Sequence, residues 1–310
     1  MTGRSVLGYT AILVVMGAGW GLTQPLTKIA VSSGFQPFGL LVWQLMIASV
    51  ILSAVALVRQ SRLPLGSRHL RLYFLIAMIG TILPNAATYL AAVHLPAGIL
   101  SLLMAMIPMW AFPIALLLGN DIFSMRRLSG LVFGLVGVLL IVSPGLSLPP
   151  EVRFGWILVA LASGVFYAFE GNYVAKWGTG GLDAAQVLHG ASLAGLAVAV
   201  PLALLGGQFI APEALVDTPA GRALAAASVV HVAVYTAYVW LVGRAGSVFA
   251  IQVSYLVTGF GMLWANVMLG EAYAPSVWLA LACMFAGMYL VQPRRNAPLA
   301  GISPIGETRP

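Results

Sequence analysis

Glu170 is the one carboxylic acid that falls well inside an apolar stretch of this chain. It lies about seven residues, or roughly 10 Å of helix rise, from the C-terminal end of that stretch. An acid at such depth is costly to bury and is a candidate for proton coupling or for holding a substrate ammonium group. Two blander readings stand beside it: an ion pair with Lys176, a turn and a half away, or a neutral carboxyl hydrogen-bonded between helices. His231, Tyr235 and Tyr238 follow at i, i+4 and i+7, so they share one helix face. His231 could exchange a proton with Glu170, and the tyrosines could take a ring or a cation on their faces and hydroxyls. The alternative is an aromatic packing stripe with a satisfied histidine. Trp20, Gln24 and Lys28 recur every four residues, and Pro25 interrupts the backbone ladder beside Gln24. Trp20 and Gln24 are cavity candidates, whereas Lys28, near a span end, is expected to snorkel to the interface.

Further candidates are Asn85 beside Pro84 with Tyr89 one turn on, Tyr167 one turn before Glu170, and Trp110 in a methionine-rich run broken by Pro108 and Pro113. Gln252, Tyr255 and Gly259 share a face, with Tyr255 the favoured contact. His94 and His189 lie near span ends, where an interfacial role is expected. The substrate-contacting set is therefore Trp20, Gln24, Asn85, Tyr89, Trp110, Tyr167, Glu170, His231, Tyr235, Tyr238 and Tyr255, with Glu170 and His231 the proton-coupling candidates. Methionines elsewhere in the run are read as gap fillers.

The elements that must hold these residues are apolar throughout. The chain is 61% hydrophobic and 7% charged, against about a quarter charged in a soluble domain. A span needs roughly 20 apolar residues, and ten runs approach or exceed that: Val6 to Val31, Phe38 to Val58, Leu70 to Val93, Ala97 to Leu118, Leu128 to Val142, Gly155 to Trp177, Ala184 to Leu205, Ala223 to Val242, Val248 to Leu269 and Val277 to Val291. Gly, Pro and Ser punctuate the breaks. The expected fold is an all-α integral membrane bundle of ten transmembrane helices.

Basic residues orient it, because Lys and Arg in short loops favour the cytoplasmic side. With the N-terminus inside, twelve of the 15 lysines and arginines fall on the cytoplasmic side, and Lys28, Arg153 and Arg222 fall outside. Both termini are expected in the cytoplasm. The net charge of +7 reflects these flanks rather than a nucleic-acid surface, so no nucleic-acid partner is expected. Cys283 is the single cysteine, which excludes an intrachain disulfide and reads as a buried structural thiol. Tyr9 to Gly21 has the look of a signal core, but the run continues to Val31 and is kept as a mature span. The tail 293–310, rich in proline, is expected to be disordered. An Arg-rich, Lys-poor composition with abundant Ala and Gly suggests a prokaryotic inner-membrane protein.

The last five runs resemble the first five. Asp121 matches Glu271 and Gly137 matches Gly287 at an offset of 150 residues, while Trp20-Gly21 with Lys28 matches Tyr167-Ala168 with Lys176. An odd-numbered unit enters the membrane from the opposite side when repeated, giving inverted repeats over 1–143 and 151–292, an architecture found mainly in transporters. Trp20-Gly21 with Lys28, Pro37, Ile107-Pro108 and Leu269-Gly270-Glu271, in this order across ten spans, resemble the EamA-type transporters of the drug/metabolite transporter superfamily. Gln44 departs from the arginine many members carry in the second helix, and Asn120-Asp121 stands where a Gly-Glu pair is usual.

That resemblance implies a basket of ten helices around a central cavity, lined mainly by the first, third, fourth, sixth, eighth and ninth helices, with the fifth and tenth packing the halves together. It implies export of amino acids or other small metabolites by alternating access. There is no Walker loop, zinc pair, paired-aspartate segment or Gly-x-Ser-x-Gly, so no cofactor or metal is expected and energy would come from a gradient. The partners expected are a small-molecule substrate and the lipid bilayer; the sequence sets no oligomeric state. The alternative reading is a membrane-embedded enzyme or lipid-handling protein using Glu170 and His231 as acid and base.

Overall fold

Without water to bond to, a backbone can satisfy its own N–H and C=O groups only as a helix or a closed barrel, and the apolar runs fold as helices. The computed structural model describes residues 3–142, 154–245 and 252–291, and all regular structure among them is helical. The helices are α1 (Gly3–Ser32), α2 (Pro37–Val58), α3 (Ser67–Ala77), α4 (Leu83–His94), α5 (Ala97–Met104), α6 (Ile107–Leu118), α7 (Met125–Val142), α8 (Phe154–Trp177), α9 (Ala184–Leu205), α10 (Pro212–Asp217), α11 (Pro219–Ala245), α12 (Val253–Leu269) and α13 (Pro275–Val291). Among the described residues seven stretches are long and apolar enough to cross a membrane: Pro37–Val58, Ser67–His94, Ala97–Leu118, Met125–Val142, Phe154–Trp177, Ala184–Leu205 and Pro219–Tyr238. The helices Val253–Leu269 and Pro275–Val291 are apolar but shorter. The start of the ninth run at Val248 and the tail from 293 lie outside the described residues.

Two runs expected as single spans are composite. The third is α3, a π turn over Met78–Ile82 whose Leu83 N–H donates to the Met78 carbonyl, and then α4. The fourth breaks between α5 and α6 at Ala105-Met106. Proline explains both places, because Pro84 and Pro108 have no N–H for the carbonyls four residues earlier, those of Gly80 and Met104.

The main core is a single cluster in which Leu40, Leu41, Leu100, Leu103, Met106 and Ile141 are fully buried. Around it α1 packs on α11 and α12, α8 on α4 and α6, α2 on α9 and α11, α3 on α9, α5 on α12, and α7 on α13. The α7–α13 crossing is as close as backbones permit: a Cβ on Gly130 would stand 2.7 Å from the Gly287 carbonyl oxygen. Small residues at such crossings allow the approach.

Helix ends are finished by side chains from other helices. Glu271 accepts from the backbone N–H groups of Ala97 (2.7 Å) and Gly98 (3.0 Å), the first turn of α5, where a carboxylate also complements the helix dipole. Tyr273 donates to the same carboxylate at 2.8 Å. Burial, the hydrogen bond to Glu271 and its charge all push the Tyr273 hydroxyl well above its ordinary pKa, so it remains a donor at any physiological pH. Lys28 reaches a neighbouring helix end: its Nζ donates to the carbonyls of Ala92 (2.7 Å) and Val93 (3.1 Å), in the last turn of α4. Together Lys28, Glu271 and Tyr273 clasp the α4–α5 connection.

Two helices end in matching glycine caps. Gly119 and Gly270 end α6 and α12 in the same left-handed conformation, φ 71° and 67°. Asn120, which follows Gly119, donates to the Asn172 carbonyl at 2.8 Å. Asp121 instead forms an ion pair with Arg127.

Replacing Glu271 with Gln removes one of the two acceptors at the α5 N-terminus and leaves a backbone N–H without its partner. We expect a loss of about 1–3 kcal/mol, read from thermal or denaturant unfolding of the detergent-purified protein.

Candidate functional site

Glu170 lies on α8 with its carboxyl against the π turn. A Cβ built on Gly80 would stand 2.6 Å from Glu170 Cδ and Oε1 and 2.8 Å from Oε2, so the carboxyl lies broadside on the helix backbone there. Among the described residues Glu170 makes no hydrogen bond and no ion pair. Its charge reaches Tyr167 on its own helix and Tyr235 on α11. The expected alternative partner, Lys176, is engaged elsewhere: its Nζ donates to the Leu118 carbonyl at 2.5 Å and sits over the Trp177 ring at 5.1 Å.

Behind Tyr235 the aromatic groups continue. His231 and Tyr235 rings are stacked with centroids 6.3 Å apart, and Trp20 of α1 meets His231 at 6.2 Å and Tyr238 at 5.5 Å. The face read at 231, 235 and 238 is thus met by Trp20 from a second helix. His231 touches Trp20 and Tyr235 rather than the Glu170 carboxyl. On the other side Tyr167 donates to Asn85 Oδ1 at 2.7 Å, the Asn85 amide faces Gln44 Oε1 at 3.5 Å, and Tyr89 donates to the same Gln44 oxygen at 2.5 Å. This chain joins α8, α4 and α2.

Buried polar atoms are nearly always paired, so the exceptions mark places where a partner could bind. Among the described residues, the buried side-chain atoms with no partner are Trp20 Nε1, Gln24 Oε1, Trp110 Nε1 and Ser49 Oγ. Three of these four residues belong to the set chosen from the sequence. They offer two donors and an acceptor to a ligand, and the Trp110 ring lies against Gly164 of α8.

Tyr255 stands apart from that group. It packs on Phe285 of α13 at 5.5 Å and lines a pocket of about 200 Å³ with Pro108, Phe112, Asn172 and the Asp121–Arg127 pair. That pocket lies between α6, α7, α8, α12 and α13, not along the path joining Glu170 to Trp20. Two further residues differ from expectation. His189 is buried and meets Ser53 Oγ at 2.9 Å, linking α9 to α2, rather than sitting at an interface. Cys283 is half-buried. His94 is exposed and stacks on Trp156 at 4.0 Å.

Sequence reasoning did not place Gln44, Gly80 or Asn172 in the site. Gln44 was visible as a polar residue in an apolar span. Asn172, donating to the Ala111 (3.0 Å) and Ala168 (2.9 Å) carbonyls, was visible in the same way. Gly80 carried no signal, since a glycine's use here depends on which side chain faces it. Among the described residues there is no cluster of three His, Cys, Asp or Glu able to hold a metal ion.

An all-helical apolar bundle with several helices long enough to cross a bilayer is the architecture of a multi-pass membrane protein. Residues 7–143 match the EamA-like transporter family, which bears out the resemblance to EamA-type transporters of the drug/metabolite transporter superfamily. Among solved structures 27 chains match. One crystal structure, whose title says only that it is of a protein, aligns with a TM-score of 0.64 and 17% identity over 92% of this chain and 98% of its own, a likeness of fold. No curated protein matches the chain.

The Gln44 oxygen generates a prediction through the asymmetry of buried hydrogen bonds. Gln44→Leu strands the Tyr89 hydroxyl and should lower stability by about 1–3 kcal/mol, whereas adding Tyr89→Phe removes both partners and should recover most of that loss. Unfolding midpoints of the two variants check it.

Proposed function

We propose that this chain is a secondary active transporter that exports small amphipathic metabolites, such as amino acids or related amines, by alternating access around a midplane cavity. The coupling ion is the proton and Glu170 carries it. One observation bears most of this reading: an acid at mid-span depth, with no hydrogen-bond partner among the described residues, lies against the π turn at Gly80, with Tyr167 and Tyr235 within reach of its charge and Tyr235 stacked on His231 beside Trp20. A group that must gain and lose a proton cannot be locked in a permanent ion pair. The exporting direction rests on the family resemblance.

The architecture we propose is ten spans in two inverted repeats of five, over 1–143 and 151–292. The packing pairs support it. Numbering the spans in order, the first packs on the eighth and ninth as the sixth packs on the third and fourth; the second packs on the eighth as the seventh packs on the third. The fifth–tenth, second–seventh and fourth–ninth contacts map onto themselves. The matched left-handed caps at Gly119 and Gly270 agree. With both termini in the cytoplasm of a prokaryotic cell, the clasp of Lys28, Glu271 and Tyr273 lies at the outer end and the pocket beside Asp121 and Arg127 at the inner end. Trp20, Gln24, Asn85, Tyr89, Trp110, Tyr167, Glu170, His231, Tyr235 and Tyr238 surround the substrate path between them, with Tyr255 at its inner mouth.

Glu170→Gln keeps shape and removes the titratable proton. In proteoliposomes loaded with an amino-acid and amine panel, the variant should lose at least tenfold of proton-driven flux, about 1.4 kcal/mol or more in the barrier, while retaining folded stability. Wild-type flux with wild-type pH dependence would remove Glu170 from the mechanism.

A further inference from the structure

The π turn and the acid meet at one residue. Pro84 has no N–H to give the Gly80 carbonyl, its partner four residues back in an α-helix, and the ladder is rerouted there through the Leu83 to Met78 bond. Gly80 also has no side chain, and into that space the Glu170 carboxyl fits with Cδ and both oxygens at nearly equal distance from where a Cβ would stand. Two separate sequence features, a proline that leaves a carbonyl short of its donor and a glycine four residues before it, coincide at the place where a partly exposed acid is laid on the backbone. A π turn inside a helix often marks a functional site.

We propose that Gly80 and Pro84 form a seat for Glu170: the protonated acid donates its O–H to the helix backbone opened at Gly80, and the deprotonated carboxylate is released from it. The seat makes Gly80 and Pro84 positioning residues for the proton-coupled step, and its mechanistic meaning rests on the reading of Glu170 given above. On deprotonation the proton passes to water or substrate in the cavity, and a carboxylate set against a backbone carbonyl is repelled, so the charge state of Glu170 acts on the bend between α3 and α4. The groups that face the acid are Tyr167 from α8 and Tyr235 from α11. Tyr89 of α4 lies behind Tyr167 through Gln44 and Asn85, and His231 lies behind Tyr235. Tyr167 and Tyr89 already donate to Asn85 and Gln44, so Tyr235 is the hydroxyl left to donate to the carboxylate once it leaves the seat.

The test is infrared difference spectroscopy of the full chain in lipid nanodiscs, titrated with protons alone, the Glu170 carboxyl band being assigned by its absence in Glu170→Gln. Gly80→Ala displaces the flexible end of Glu170 and should move the protonated C=O stretch to higher frequency, toward that of an acid without an acceptor. Pro84→Ala reaches the same end by another route: it returns an N–H to the Gly80 carbonyl, which then no longer needs the acid. It should also raise the frequency, and the double variant should raise it no further than the larger single change. If Gly80→Ala cannot be purified, Pro84→Ala alone decides. A wild-type band in either variant, or additive shifts in the double, overturns the seat. The readout needs no transported substrate, so a band that moves as expected while Glu170→Gln still transports normally would uphold the seat and sink the proton-coupling reading instead.

Discussion

Every polar backbone group in a membrane-embedded chain must find its partner inside the protein, because hydrocarbon offers none. The rest of this structure can be read as compliance with that constraint and a few departures from it. Compliance produces helices wherever the sequence is apolar. It also explains why the scarce charged residues gather at helix ends: Glu271 supplies acceptors to the first turn of α5, Lys28 supplies donors to the last turn of α4, and Lys176 does so for Leu118 at the end of α6. With 7% charged residues, the chain spends several of them on finishing helices that belong to other spans. That ties the first five runs to the last five, since Glu271 follows α12 and caps α5.

The departures are few. Pro84 and Pro108 open the ladder inside the third and fourth runs, and the unpaired side-chain atoms of Trp20, Gln24 and Trp110 lie on the first and fourth. An unpaired buried donor or acceptor costs about 1–3 kcal/mol, so each is unfavourable unless something binds there. Glu170 belongs with this group. It is held by shape against Gly80 rather than by an ion pair, and Tyr235 nearby has a hydroxyl that can donate to it without neutralising it. A small molecule carrying an amine, polar groups and an apolar body would satisfy such a lining better than water alone, which connects the polar accounting to the transport reading.

The sequence allowed the helical class, the approximate bounds of the ten runs and most of the polar residues that end up facing one another. Hydropathy reports solvent, and an apolar run has one way to fold in lipid. Polar residues in such runs are rare enough that Glu170, Asn85, Gln24 and Trp20 stood out. What the sequence could not supply was pairing across helices. Lys28 looked like an interfacial lysine because its acceptors at Ala92 and Val93 are more than 60 residues away. Lys176 looked like a partner for Glu170 because it was near in sequence, yet it faces α6. His189 was assigned to an interface by its position in the run, while its actual partner, Ser53, sits on α2. Tyr255 shared a face with Gln252 but points to a pocket beside Arg127.

On the proposed function, a cavity at Glu170 opens alternately to the two sides, with the Glu271 clasp closing the outer end. The most direct measurement places a cysteine at Tyr235 in a Cys283→Ala background and follows its reaction with a membrane-impermeant thiol reagent in right-side-out and inside-out vesicles. The account predicts labelling from the cytoplasmic side in the resting protein, with labelling from the outside appearing when Glu271→Gln loosens the clasp. Labelling from the outside alone in the resting protein, or from neither side in both proteins, would contradict it.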